Sequence, residues 1–488
     1  VSARPHPPPG AGPCPAAPGP NGSAPHPGGT APLPPKPAAT ESRSGLWHYF
    51  RAFRRDLISA MPSRLYRAWM AEYRAGPIHS FFCNDPDLVS LVLRERPGDF
   101  PKATRMQEGL RPLLGRSVFI TNGAEWRRQR RIIDPAFEGG RLREILPHVW
   151  AAGRDAARRL DGSGVIDLEP ATSHVTADVI FRTLFSIPIE DEVAARIFAA
   201  FRAHQDAQPL LNAAALIPLP RWVPRLHSRR AQHSAREIRG QIARLVDARA
   251  ALIAAGTAPD DLATKIMSTP DPQDGRCFSR PEMVDQVATF FLAGHETSAS
   301  ALAWALWLLA AHPDWQDRVA AEARAVLGAG QPDFAALSGL KLSRAVFREA
   351  LRLYPPVAMT VREAARAEQF RGRRVPKGAQ IVLSPWHLHR HERLWAAPDA
   401  FDPARWDSEN GQDCARRAYL PFSAGARACP GAGFAMLEGV LILSQIVARH
   451  RLETTAETPV PVARLTLRGR DGIRVRLSPR DPGPRCDP

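Results

Sequence analysis

Between Phe422 and Glu438 the chain reads Phe-Ser-Ala-Gly-Ala-Arg-Ala-Cys-Pro-Gly-Ala-Gly-Phe-Ala-Met-Leu-Glu, which sets one cysteine, Cys429, behind a glycine-rich turn and ahead of an apolar run. Gly425 and Gly431 bracket it and are expected where the chain needs positive φ or a close backbone approach. Pro430 suits the first position of a helix. From Ala432 to Ala448 the residues are apolar nearly all round, with Phe434, Met436, Leu437, Val440, Leu441, Leu443 and Ile446, the pattern of a helix buried on every side. A cysteine at such a helix N-terminus is expected to favour the thiolate, the form that ligates metals.

No second Cys or His stands nearby at C-x-x-C or H-x-x-x-H spacing, so zinc lacks its ligand set. A single thiolate points instead to a haem, whose porphyrin supplies the other donors. Phe422-x-x-Gly425-x-Arg427-x-Cys429-x-Gly431 resembles, at all five positions, the haem-binding signature of the cytochrome P450 family. The resemblance implies haem b (iron protoporphyrin IX) with Cys429 as the proximal iron ligand, Phe422 packed against ring and sulfur, and Arg427 reaching a haem propionate.

Other segments fit the same family. Phe290-Phe-Leu-Ala-Gly-His-Glu-Thr-Ser298 lies in a helical run from Pro281 to about His312. An acid beside a hydroxyl in an apolar helix is unusual. Gly294 costs that helix about 1 kcal/mol relative to Ala. Thr297 can bond back to a carbonyl one turn earlier, so a local bend is expected. Ala293-Gly294-x-Glu296-Thr297 resembles the family's distal oxygen-binding motif, which implies that Glu296 and Thr297 steer protons during oxygen activation, with Phe290, Ala293 and Gly294 beside the haem and its substrate. His295 receives no ligand role.

Trp126 and Arg130, four apart, share a helix face and resemble the family's pair on a haem propionate. Arg127, Arg128 and Arg131 point off that face and by resemblance would surround the proximal haem side, where they would steer an acidic electron donor. Glu349 and Arg352 stand three apart on one helix face, and Phe401-Asp-Pro-Ala-Arg405-Trp406 supplies a later arginine. The trio resembles the family's structural Glu-x-x-Arg and Arg set, with Ala404 where the family often has Glu. Arg362 matches a further propionate arginine, and Val357, Ala358, Met359 and Thr360 would line the pocket.

The 488 residues suffice for a large core, and the resemblance runs from about Leu46 to Arg480. It implies a mainly α fold with a minor β region, one large domain over residues 45–480. Residues 1–44, with fourteen prolines up to Pro37, are expected to be disordered, and 481–488 to form a flexible tail. Helical periodicity appears at 141–159, 172–185 and 225–255, and an aromatic, basic helical stretch reaches about Met70. Strands are expected at 78–83, 380–383 and 464–477, and an irregular loop from Asp99 to about Asn122. Pro209 to Pro224 lies where the family has a mobile lid.

A formal charge of +16 is almost wholly arginine, dispersed and without a nucleic-acid-binding module, so it reads as compositional bias. Six scattered cysteines suggest a reducing compartment. With no apolar run approaching a membrane span, the longest uncharged one outside the proline-rich tail being Thr297–Ala311, a cytoplasmic protein of the soluble bacterial type is expected. The implied function is a monooxygenase that uses two externally supplied electrons, from a separate ferredoxin with its reductase, to hydroxylate or epoxidise an apolar organic substrate. The rival is a haem-binding sensor or carrier without turnover, against which the acid and alcohol pair argues.

Overall fold

A computed structural model describes residues 32–39, 56–75, 78–138, 140–207, 229–328 and 330–480. The architecture is mainly helical. In chain order the principal helices are α1 (Thr104–Leu114), α2 (Gly123–Ile133), α3 (Arg141–Arg159), α4 (Leu168–Phe185), α5 (Glu192–Ala207), α6 (Arg229–Ala254), α7 (Arg280–Ala311), α8 (Pro313–Leu327), α9 (Lys341–Leu353) and α10 (Ala432–Arg449).

The 32-residue α7 is the axis of the molecule. Ser279 opens it with a capping box, donating its N–H to the Glu282 carboxylate at 2.8 Å, and Pro281 sits in the first turn. Its residues are buried on nearly every side from Met283 to Ala310, as an apolar helix without a polar face requires. It packs most closely on α4. The reason is visible at Gly294, where a Cβ would come within 2.5 Å of Ile180 Cδ1. Further along, Trp304 stacks on Tyr354 with ring centroids 4.0 Å apart.

The minor β region contains a four-stranded sheet of β1 (Met70–Ala75), β2 (Ile78–Cys83), β3 (Thr360–Glu363) and β4 (Gln380–Leu383) in the order β1-β2-β4-β3. β2 and β4 run parallel, and Arg362 of β3 pairs antiparallel with Ile381. A hairpin of Pro461–Ala463 and Leu467–Gly469 returns beside α7, and Arg474–Pro479 forms a second sheet with Val165–Asp167 and His450–Thr454.

Several expectations change. From Asp56 to Trp69 the described chain is turns and a short 3-10 helix, not a regular helix, and β1 then begins at Met70. The expected loop from Asp99 to Asn122 contains α1, which accommodates Pro112 within its last turn. Part of the proline-rich tail is placed against the fold. Pro34 and Pro37 are buried, the Tyr354 hydroxyl donates to Pro35 O at 2.8 Å, and Lys36 pairs with Asp399 over the Tyr66 ring. Proline's fixed φ makes such a strap cheap to order, and aromatic faces supply the apolar contact that the segment lacks by itself. Residues 1–31 and 40–44 of the expected tail, the lid segment Pro209–Pro224 and residues 481–488 lie outside the described residues. Among the described residues one helix, Ala432–Arg449, is long and apolar enough to cross a membrane, with mean hydropathy 1.4, but 61% of it is buried within the protein, as suits a core helix.

Candidate active site

Cys429 lies in the loop that leads into α10. Its N–H donates to Phe422 O at 2.9 Å, and Ala428 N–H to Gly425 O at 3.0 Å, closing two nested turns. Gly425 has φ +64°, and a Cβ there would stand 2.1 Å from Leu93 O, so only glycine fits. Gly431 does not share that need. Its φ is −84°, and its nearest neighbour would be Cys429 Sγ at 3.9 Å. Its contribution is the N–H that faces the sulfur. The helix proper starts at Ala432, so Pro430 lies outside it and Cys429 precedes the first turn. The sulfur is exposed yet surrounded by protein, as in a recess. Burial pushes its thiol pKa up, opposed by the Gly431 N–H and by Arg130. The protein alone therefore holds a thiol, and a metal cation is needed to draw out the thiolate.

Four cations cluster beside this loop. Arg130 donates to Ala428 O at 2.8 Å and to Asp134 at 2.6 Å, tying α2 to the cysteine loop. Arg427 lies over the Trp126 ring, 4.5 Å from its centroid, with its Nε and Nη1 buried and unpartnered. Arg362 is 6% exposed, has an unpartnered Nε, and its pKa falls to about 10 through burial and the neighbouring Arg427. Lys102, beside Arg362 in an isolated bridge, was not singled out from the sequence. Buried donors of one sign without an acceptor are costly unless an anion completes them. Phe422 is half-buried at the edge of the main core.

On α7, Phe290, Ala293, Gly294 and Thr297 are all partly accessible, while His295 and Glu296 are buried. The Thr297 hydroxyl donates to Ala293 O at 2.7 Å, the back-bond expected from the sequence, and α7 remains one unbroken helix through it. Gly294 serves the packing against α4 described above. His295 is buried against Phe198 and Phe201, with Nδ1 2.8 Å from Phe291 O, and burial lowers its pKa. The Glu296 carboxylate accepts from Gln205 at 2.9 Å, Thr466 at 3.0 Å and Arg468 at 3.0 Å. Those three partners were not legible in the sequence. A cavity between α1, α5, α7 and the hairpin is lined by Leu110, Leu113, Leu292, Glu296, Leu465 and Arg468. Phe290 and Ala293 are not in its lining, nor are Val357, Met359, Thr360 and Ala358, the last of which is buried with its carbonyl taken by Trp386 N–H.

Beneath the cysteine loop, Glu349 and Arg352 are fully buried and Arg405 nearly so. Arg352 grips the Glu349 carboxylate at 2.8 and 2.9 Å, and Arg405 adds a bond at 3.0 Å. Their other N–H groups donate to the carbonyls of His389, Pro398, Ala400, Ala396 and Ala397. His389 extends the network. Its Nε2 accepts from Leu420 N–H at 2.8 Å, which leaves the proton on Nδ1 to donate to Arg352 O at 3.2 Å. A neutral ring is required, and burial followed by the Arg352 charge pushes its pKa down to about 3.

Two arginines expected to face an electron donor are engaged elsewhere. Arg128 pairs with Glu282 at 2.7 Å and Asp274 at 3.4 Å, and Arg131 with buried Asp271 at 2.6 Å. They fasten α2 to the first turn of α7 and to the segment before it, leaving Arg127 of the three exposed.

Glu438 of α10 is fully buried and accepts from Ser298 at 2.7 Å, while its Oε1 has no partner. Burial pushes its pKa up to about 8 from 4.5. Between those values the folded state binds one proton more than the unfolded chain, so this group's contribution to stability falls as pH rises through that window. Glu438→Gln is expected to remove that loss. Thermal melts should show a gain on the order of a few kcal/mol at pH 8 and little at pH 5, and equal gains at both would mean that the carboxyl is not held neutral.

Among the described residues no three His, Cys, Asp or Glu side chains converge to hold an ion by themselves. One cysteine beside orphaned cationic donors instead matches a flat ligand that brings its own metal donors and two carboxylates. The family model for Cytochrome P450 matches residues 63–470. The chain is 32% identical over 423 residues to cyclooctat-9-en-7-ol 5-monooxygenase of Streptomyces melanosporofaciens, covering 85% of this chain and 88% of that one. It is 30% identical to pentalenene oxygenase of Streptomyces avermitilis, covering 89% and 96%, and 28% identical to a cytokinin hydroxylase of Arabidopsis thaliana, covering 85% and 83%. The chain therefore belongs to the cytochrome P450 family and is a monooxygenase of that family.

Proposed function

We propose that the chain inserts one oxygen atom of dioxygen into an apolar, terpenoid-type substrate. The haem b it uses would be ligated through Cys429. The observation that carries this reading is the recessed Cys429 sulfur under the Gly431 N–H and beside Arg130, with Arg362 and Arg427 of the same cluster keeping donors left over. Bound haem supplies the reductive activation of dioxygen, and a thiolate ligand promotes O–O cleavage. Arg130, Arg362 and Arg427 would hold the propionates, Trp126 would support Arg427, and Gly425 lets the loop approach the backbone at Leu93. The Glu349, Arg352 and Arg405 cluster keeps that loop in place from below.

Substrate class is supported by the names of the relatives, which act on cyclooctat-9-en-7-ol and pentalenene, and by leucines on the cavity wall above Glu296. Phe290, Ala293, Val357, Met359 and Thr360 would complete the pocket nearer the haem. Electrons would come from a separate acidic ferredoxin and its reductase, with the exposed Arg127 of α2 as a point of attraction. The Thr297 hydroxyl, its proton given to Ala293 O, would accept a hydrogen bond from an incoming proton donor, and Glu296 would pass protons once its carboxylate turns from Arg468. The test of this reading is a titration of the haem-loaded protein with cyclic terpenes and terpene alcohols, followed by the spectral shift of ferric haem. No shift with any of them, against a shift with fatty acids, would reject the terpenoid class.

Thr297→Ala is expected to bind haem and substrate with little change, since one lost hydrogen bond costs about 1 kcal/mol. The yield of product per reduced nicotinamide should fall several-fold, with peroxide released in its place. Coupling as tight as wild type would make Thr297 a packing residue.

A further inference from the structure

The cavity between α1, α5, α7 and the hairpin combines leucine walls with one fixed polar corner. Leu110 and Leu113 come from α1, Leu292 from α7 and Leu465 from the hairpin turn, and Gln205, Glu296 and Arg468 line the same space. Arg468 sits opposite Val462 in the hairpin. The Ser300 hydroxyl of α7 donates to Leu467 O, and Gly469 N–H donates to Glu169 of α4 at 2.8 Å, so the strand that carries Arg468 is fastened on both sides. A side chain on such a support keeps its aim. Nη2 of Arg468 donates to Glu296 Oε1 at 3.0 Å and to Gln205 Oε1 at 3.1 Å. Thr466 donates to the same Glu296 oxygen at 3.0 Å, and Gln205 donates to Glu296 Oε2 at 2.9 Å.

Both charged members of this corner keep bonding capacity. Among the described residues no acceptor meets the N–H groups on Nη1 and Nε of Arg468. Glu296 Oε1 already takes two bonds and Oε2 one, so Oε2 can accept another. Because the two side chains are themselves in contact, a single oxygen can reach both. An alcohol suits them, since its oxygen accepts from Arg468 while its proton goes to Oε2. A ketone or an ether accepts but has no proton to give. A carboxylate brings its charge against Glu296, and against Glu169, whose buried carboxyl also faces Arg468 and Arg464. We propose that Arg468 and Glu296 select a terpenoid substrate that already carries a hydroxyl, held at this corner while the leucines cover its hydrocarbon. The inference rests on the terpenoid reading above and narrows it. An earlier reaction must then supply the alcohol, either an oxygenation or a ring closure in which water captures the final carbocation.

The experiment measures, by calorimetry of the haem-loaded protein, the affinity for two matched series: menthane, menthol and menthyl methyl ether, and cedrane, cedrol and cedryl methyl ether. Wild type is expected to bind at least one alcohol about tenfold tighter than its hydrocarbon and its ether, the factor brought by one charge-assisted hydrogen bond that the analogues leave unmade. Arg468→Leu should lose that preference while holding the hydrocarbon at least as well as wild type does. Gln205→Leu, which takes away the side chain that steadies both partners, should lose part of it. Alcohols bound no tighter than hydrocarbon and ether in both series, by a wild type that binds all of them, overturn hydroxyl selection and leave the terpenoid reading standing. A preference that survives Arg468→Leu in full overturns it as well. Where Arg468→Leu does not fold, Gln205→Leu decides, and an undiminished preference there overturns the role of this corner. Failure of all six compounds to bind overturns both the inference and the terpenoid reading.

Discussion

Cys429→Ala is expected to abolish the long-wavelength absorption of the ferrous carbon monoxide complex while leaving the haem-free fold close to wild type. The side chain is accessible and fills no core position, so its truncation leaves no cavity to collapse. No other described cysteine can take over the ligation. Cys83 is fully buried with its thiol pKa pushed up by burial, Cys414 is buried with its pKa pushed up to about 12, and Cys277 lies in the exposed loop before α7. The absorption band tests the ligand, and circular dichroism of the haem-free protein tests the fold. A variant that kept the band would place the ligand elsewhere.

Glu349→Ala is expected to have the largest effect on stability. Burial opposes ionisation of this carboxyl, but Arg352 and Arg405 outweigh it and hold its pKa below the usual carboxylate range. The group therefore stabilises the fold above the unfolded pKa, and that contribution is lost as pH falls through the folded one. Removing it leaves two buried guanidiniums without a counter-charge, a change that typically costs about 3–5 kcal/mol. The damage should reach the ligand loop, because Arg352 O is bonded to His389 and His389 to Leu420 N–H, two residues before Phe422. Denaturant melts should show the loss, and the purified variant should carry little haem. A loss below about 1 kcal/mol would place the cluster among exposed ion pairs, which are worth that little.

Spacing carried most of what could be read beforehand. Cys429 with its glycines and arginine, Glu349 with Arg352, and Glu296 with Thr297 are close in sequence, so their order reflects one loop or one helix. The packed helices α3, α4, α6 and α7 were visible for the same reason, as sustained 3.6-residue periodicity. What stayed hidden joins distant segments. Arg468 meets Glu296 across 172 positions, Lys102 joins Arg362 of β3 through an isolated bridge between segments remote in sequence, and His389 links the end of α9 to the loop at Leu420 through its ring. No local pattern announces such contacts. Two local signals also misled. Glycine and proline between Asp99 and Asn122 suggested an open loop where tertiary packing holds α1, and proline content in residues 32–39 hid a short strap on Tyr354 and Tyr66.

The origin of the inserted oxygen tests the proposed chemistry most directly. Haem-loaded protein, a ferredoxin, its reductase and the terpene that gives the strongest spectral shift would be incubated under isotopically heavy dioxygen in ordinary water. The product is expected to gain a single heavy oxygen, with the second atom of dioxygen appearing in water, and with no product from Cys429→Ala. A product whose added oxygen comes from labelled water, or substrate recovered unchanged while wild type binds haem, substrate and electrons normally, would contradict it.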